Sequence, residues 1–200
     1  MPFKTGLVFT LDSGEFEKNL DMALHMAGYH DFEQRRAEAK ARGRLRGIGF
    51  ANIIEQTSQT FGETVMVKFD SGGTVTVIPG SISHGQGHDT MYKIILSEKL
   101  GIDSDNIRVQ MCDTDMAPDG GGTYASRTAV LGGSAATLAA EKVISKAKKI
   151  AAHMMEVSDG DVEFASGRFN VVGTDKSVNW KEVAAAAYVP ARLPKGVEQG

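Results

Sequence analysis

Two glycine-rich turns, each set between a strand pattern and a helix pattern, constrain this chain more than any other feature. The first is Pro79-Gly-Ser-Ile-Ser-His-Gly-Gln-Gly-His-Asp-Thr90 and the second is Pro118-Asp-Gly-Gly-Gly-Thr-Tyr-Ala-Ser-Arg-Thr128. A β-type run over 74–78 feeds the first turn, and a helical pattern opens near Asp89. Glycine on both sides of Gln86 lets the backbone come close to a ligand. The Gln86 amide and the His88 ring are then left projecting from the turn. The adjoining helix start offers unpaired N–H groups to an anion. The second turn also ends by opening a helix. The two loops are therefore expected to converge on one large, polar, phosphate-bearing ligand.

The rest of the chain reads as α+β, with helices packed on a mixed, mostly antiparallel sheet. Asp12 or Ser13 is expected to cap a helix to about Ala27, with Phe16, Leu20, Ala23, Leu24 and Ala27 on one face. A charged helix over about 31–42 follows, anchored by Phe32, and reads as a solvated face. Period-two patterns then predict strands over 45–55, 64–69 and 74–78, the last two joined by a Ser71-Gly-Gly73 hairpin turn. A helix over about 89–100 is expected to bury Met91, Ile94, Ile95 and Leu100 and to close at Gly101. A strand over 107–111 and a long helix over about 129–157 come next. The first half of that helix is nearly all small residues, suited to tight packing. A hairpin around Ser166-Gly167 and a helix over 180–187 complete the pattern. Three segments result: a helical lead-in (1–43), a core (44–160) and a hairpin plus helix (161–200), with the last stopping in what reads as a connection.

Composition narrows the function classes. The net charge of −3 implies no general attraction to nucleic acid or membrane. One cysteine, Cys112, excludes an internal disulfide and suits a reducing, cytoplasmic compartment. No apolar run approaches the roughly 20 residues of a membrane span.

The candidate chemistry sorts by residue type. His84 and His88 stand four apart with Asp89 adjacent, but Gly85 and Gly87 break the helix between them and no third metal ligand is evident. No direct metal ligand is expected. Ser126 lacks the Gly-x-Ser-x-Gly setting of an activated nucleophile. Cys112 sits beside Asp113, which disfavours its thiolate, and reads as inert and packed. Asp113, Asp115 and Asp119 read as turn formers. The second loop fits a pyrophosphate: its glycines give backbone freedom, Thr123, Ser126 and Thr128 give hydroxyls, and Arg127 gives a fixed charge. Its spacing matches neither the Walker loop nor the dinucleotide fingerprint.

The runs Ser83-His-Gly-Gln-Gly-His-Asp-Thr90, Cys112-Asp-Thr114 and Gly122-Thr-Tyr-Ala-Ser-Arg-Thr128 resemble the molybdenum hydroxylase (xanthine dehydrogenase) family. Within it, the chain is similar to the large, molybdopterin-binding subunit of aerobic-type carbon monoxide dehydrogenases. Leu7-Val-Phe-Thr-Leu-Asp-Ser-Gly-Glu-Phe-Glu17, Leu45-Arg-Gly-Ile-Gly49 and Ala147-Lys-Lys-Ile-Ala-Ala-His-Met154 extend the likeness along nearly the whole chain.

The resemblance implies a molybdopterin cofactor, in the cytosine dinucleotide form usual for bacterial members. It implies that Gln86 donates to, or close by, the oxo group of the molybdenum. Gly85, Gly87 and His88 line the adjoining path, and Thr123, Tyr124, Ala125, Ser126, Arg127 and Thr128 hold the pterin and its pyrophosphate. The implied reaction is a two-electron oxidation of carbon monoxide, an aldehyde or an N-heterocycle, with the inserted oxygen drawn from water and a glutamate as general base. That glutamate and the substrate loop are expected outside these residues, so no catalytic residue is assigned here. The chain is expected to be a middle slice of a larger subunit, inactive alone. Its implied partners are the rest of that subunit, an Fe–S small subunit and an FAD medium subunit, in a dimer of heterotrimers. A nucleotide-binding module, or an assembly protein without redox chemistry, is the alternative.

Overall fold

The computed structural model describes residues 2–6, 10–54, 57 and 62–200. They fall into two compact units, Met1–Ile54 and Glu55–Gly200.

In the first unit, β1 (Phe3–Lys4) pairs antiparallel with β2 (Thr10–Leu11), followed by α1 (Phe16–Met26) and α2 (Phe32–Ala41). The expected cap at Asp12 or Ser13 does not form. The helix starts later, after Glu15, and the Ser13 hydroxyl donates to Asp12 Oδ1 instead. Phe16, Leu20 and Leu24 are half-buried, whereas Ala23 and Ala27 are exposed. Gly28 takes a left-handed conformation after α1, and the Arg35 guanidinium donates to the carbonyls of Ala27 and Gly28.

The strand expected over 45–55 is absent over 45–54; residues 55 and 56 lie outside the described residues. A strand requires a neighbour to receive its N–H and C=O groups, and among the described residues none pairs with this segment. Leu45 is 98% exposed, and no described residue lies within 4 Å of where a Cβ on Gly47 or Gly49 would be.

The second unit is built on β4. Strand β3 (Val65–Phe69) pairs antiparallel with β4 (Val75–Pro79), and β5 (Ile107–Val109) lies parallel on its other side. The hairpin turn follows from Asp70, whose Oδ1 accepts from the N–H groups of Gly72 and Thr74 at 2.9 Å each. Flanked on both edges, β4 buries Val75, Val77 and Ile78 and delivers the chain into the first glycine loop.

Helix α3 (His88–Leu100) follows that loop and ends, as expected, at left-handed Gly101. Its fully buried face overlaps the expected one only at Leu100: His88, Tyr92, Leu96 and Leu100 point inward, Met91 and Ile95 are half-buried, and Ile94 is 63% exposed. The i, i+4 series starting from His88 is the one that meets the sheet and the next helix. A π-helical turn (Thr128–Gly132) then runs directly into α4 (Gly133–Met155).

The small residues at the start of this helical stretch have a defined use. A Cβ on Gly132 would lie 2.3 Å from the Tyr92 hydroxyl, and one on Gly133 would lie 2.9 Å from Ile95. Ala136 and Ala140 are fully buried one and two turns on.

Strands β6 (Val162–Ala165), β7 (Arg168–Val171) and β8 (Ser177–Asn179) make an antiparallel meander. The third of them went unexpected. Helix α5 (Trp180–Ala187) follows, started by a reciprocal capping box between Asn179 and Glu182. Trp180 ties this half of the unit together. It stacks on Phe69 at 4.7 Å, meets Phe169 edge-on at 4.9 Å, and donates from Nε1 to the Leu100 carbonyl at 2.6 Å. The architecture is α+β, with three small sheets among the described residues in place of one.

Trp180→Phe should keep the ring contacts and orphan the Leu100 carbonyl. An unfolding midpoint lowered by about 2–4 °C, for a loss of about 1 kcal/mol, is expected in thermal denaturation.

Candidate functional site

The two glycine loops meet. Gly80 directly follows β4 and Gly120 lies in the second loop. A Cβ on Gly80 would fall 2.7 Å from the Gly120 Cα, and one on Gly120 would fall 2.3 Å from the Gly80 carbonyl. Only a residue without a side chain fits at either position. The Thr123 hydroxyl adds a second tie, donating to the Ile82 carbonyl at 2.5 Å.

Beyond this contact the loops open into one cavity of about 540 Å³. Gln86 and His88 line it from the first loop, and Thr123 through Thr128 line it from the second. The volume lies within the range of small-molecule and cofactor sites. Gly85 and Gly87 flank Gln86 with positive φ, and no described residue lies within 4 Å of where their side chains would be.

Several groups in this cavity are available to a ligand. The Gln86 Oε1 accepts from the N–H of His84, and its NH2 has no partner among the described residues. His88 is buried at the first position of α3, and its Nδ1 has no partner among the described residues. Ser126 is exposed. Ala125 and Ser126 both hold positive φ, at 48° and 52°, next to helical Arg127. Alternation of hand along the chain turns successive N–H groups to one side, the geometry of an anion nest. The helical stretch from Thr128 adds its own unpaired first-turn N–H groups.

Arg127 is engaged differently. Its side chain is fully buried. Nη1 donates to Glu63 Oε2 at 2.6 Å and to the Gly122 carbonyl at 2.7 Å, while Nη2 donates to the Gly62 carbonyl at 2.7 Å. The guanidinium also lies over the Tyr124 ring, 5.4 Å from its centroid. Behind the pair sit the buried hydroxyls of Tyr92 and Ser81, side by side. Burial, reinforced by the Glu63 carboxylate, pushes the Tyr92 hydroxyl up to about 12, against opposing pulls from Ser81 and Arg127.

Sequence reasoning singled out Gly85 to His88 and Thr123 to Thr128; of these, Gln86, His88 and Thr123 to Thr128 line the cavity. It missed Gly80, Glu63, Ser81 and Tyr92. Gly80 carried a weak signal, a glycine directly after a strand-ending proline. Glu63 carried none, because its partner lies 64 positions away. Two other expectations need correcting or placing. Cys112 is exposed with a φ of 70°, not packed. Asp113 is a turn former: its carboxylate accepts from the Asp115 N–H at 3.0 Å. Among the described residues no three His, Cys, Asp or Glu side chains converge as a metal site, and no helix is long and apolar enough to cross a membrane.

Known proteins resemble this chain over most of its length. A family model described as the molybdopterin cofactor-binding domain matches residues 22–199. The chain belongs to this family. It is 36% identical over 178 residues to the 6-hydroxypseudooxynicotine dehydrogenase complex subunit gamma of Paenarthrobacter nicotinovorans, covering 89% of this chain and 22% of that one. It is 36% identical over 220 residues to the carbon monoxide dehydrogenase large chain of Afipia carboxidovorans, covering 98% and 27%. The crystal structure of a Cu,Mo-CO dehydrogenase superposes with a TM-score of 0.68 at 35% identity, covering 94% of this chain and 26% of that one. Quinoline 2-oxidoreductase from Pseudomonas putida 86 gives 0.68 at 30% identity, covering 99% and 27%. The chain thus spans about a quarter of the length of these relatives.

The residues present fit a molybdopterin cofactor. Its phosphates need N–H and hydroxyl donors, which the nest, the helix start and Ser126 supply. Its oxygen- and nitrogen-rich remainder needs donors such as the Gln86 NH2, and the unpartnered His88 Nδ1 is a buried polar atom that a bound group would satisfy.

Two outcomes test this geometry. Gly120→Ala should force the loops apart, costing about 1–3 kcal/mol in a denaturant titration. The raised Tyr92 value has a definite sign. The fold favours the protonated hydroxyl, so its contribution is intact below the ordinary value of 10.0 and is lost as pH rises towards about 12. Tyr92→Phe should therefore lose less stability than the parent chain between those limits, as followed by thermal unfolding at each pH.

Proposed function

We propose that this chain is the part of a molybdenum hydroxylase large subunit that holds the pyrophosphate and pterin of its cofactor, in the cytosine dinucleotide form. The observation that carries the reading is the single cavity shared by the two loops, lined by donors on both sides.

The bound cofactor supplies two-electron redox chemistry that no side chain offers. The chain's own residues bind and orient it. Ser126, the N–H groups around Ala125 to Thr128 and the helix start would hold the pyrophosphate. Gly85, Gly87 and His88 let the pterin pass close to the backbone, with Thr123, Tyr124 and Thr128 as the facing wall. Gln86 has its carbonyl end fixed by the His84 N–H. It presents its NH2 as a pre-oriented donor that would face the molybdenum end of the cofactor. Arg127 keeps the second loop in shape. Among the described residues no carboxylate lines the cavity, so the general base comes from elsewhere in the large subunit.

In the whole protein this site serves the oxidation of a small substrate (carbon monoxide, an aldehyde as in aldehyde oxidases, or an N-heterocycle) with oxygen from water. Electrons leave to an Fe–S small subunit and an FAD medium subunit in a dimer of heterotrimers in the cytoplasm. The relatives support the heteromeric reading: one is a subunit of a dehydrogenase complex and another is a large chain.

In the complete enzyme, Gln86→Ala should keep most of the bound molybdenum and lower turnover by about tenfold to a hundredfold, as loss of one pre-oriented donor does. Metal analysis alongside turnover checks this. Normal turnover at normal molybdenum content would remove Gln86 from the role given to it.

A further inference from the structure

We infer that Glu63 is a positioning residue of the cofactor site, acting through Arg127 to fix the second glycine loop. The inference rests on the cofactor-binding reading above.

An arginine in a phosphate-binding loop is ordinarily read as an anion ligand. Here it is not free to act as one. Its side chain and that of Glu63 are both fully buried, and they meet at 2.6 Å. Two further bonds at 2.7 Å run to carbonyls on either side of it, Gly62 on the Glu63 segment and Gly122 in the loop. The guanidinium packs directly beneath Gly121, where a Cβ would lie 2.6 Å from Nη1. The pair is electrically neutral, so the positive charge contributes little to attracting an anion.

A buried pair of this kind is a poor source of net stability, because desolvating both charges offsets their attraction. What it supplies is geometry. Arg127 bonds at once to the segment before β3 and to the glycine loop, and so sets the distance between them. The Glu63 carboxylate reaches the loop contact itself: its Oε1 lies 2.6 Å from where a Cβ of Gly120 would be. Gly120 is the residue pressed on Gly80. Glu63 thus buttresses the point at which the two loops join, and the left-handed turn at Ala125 and Ser126 hangs from Arg127. The anion site is then made of N–H groups and hydroxyls held in place by a neutral clasp.

The two roles for Arg127 predict opposite signs for one substitution. If Arg127 were a phosphate ligand restrained by Glu63, Glu63→Gln would release its charge and tighten cofactor retention. Through positioning, Glu63→Gln loosens the loop and weakens retention. The experiment is the half-life of bound molybdenum in the purified complete enzyme, chased with inorganic pyrophosphate well below the unfolding midpoint. Glu63→Gln and Arg127→Lys should each shorten it by about tenfold; lysine keeps the charge but cannot span three acceptors.

The charge-free pair Glu63→Leu/Arg127→Met separates this role from fold stability. It should return the unfolding midpoint to near that of the parent while retention stays low. Retention that is unchanged or longer in Glu63→Gln, or that recovers along with the midpoint in the double variant, overturns the inference. A parent enzyme carrying no molybdenum would instead overturn the cofactor-binding reading itself.

Discussion

Gly80 and Gly120 touch backbone to backbone, and the candidate site exists because they do. A side chain at either position would lie well inside van der Waals distance of the other loop. Each loop alone is a turn between a strand and a helix. Joined, they close two sides of a cavity and bring the start of α3 and the start of the π-helical turn to face it. Two helix starts, whose first-turn N–H groups suit an anion, then face one cavity. The buttress behind the contact is the Glu63–Arg127 pair, and behind that lie the Tyr92 and Ser81 hydroxyls.

This arrangement explains a division of labour among residues that look alike in sequence. Thr123 and Arg127 both seem suited to phosphate, yet both spend their donors inside the protein, on the Ile82 carbonyl and on Glu63 with its neighbours. Gln86 and Ser126 keep donors outward. The π-helical turn at Thr128–Gly132 belongs to the same logic. It widens the helix where the Tyr92 hydroxyl presses against Gly132, and such turns recur at functional sites.

Much of this was legible in the residues. The hairpin of β3 and β4, the entry into α3, its end at Gly101 and the identity of both loops follow from local patterns of glycine, alternation and capping. The convergence of the loops was also inferable, because both have the chemistry of one ligand. What escaped was non-local. The face of α3 turned on which neighbour it met, so Ile94 was expected inside and Tyr92 was not singled out. The stretch 45–54 has the apolar content of a strand but no partner to pair with among the described residues. Arg127 read as a ligand because nothing near it in sequence announces Glu63.

The most direct test is a crystal structure of the complete enzyme with its cofactor in place. The account predicts pyrophosphate oxygens at about 3 Å from the Ser126 hydroxyl and the backbone N–H groups of this loop, with Arg127 still bound to Glu63. A cofactor lodged away from the cavity between the Gln86 and Ser126 loops, or an Arg127 that has left Glu63 to grip the phosphates, would contradict it.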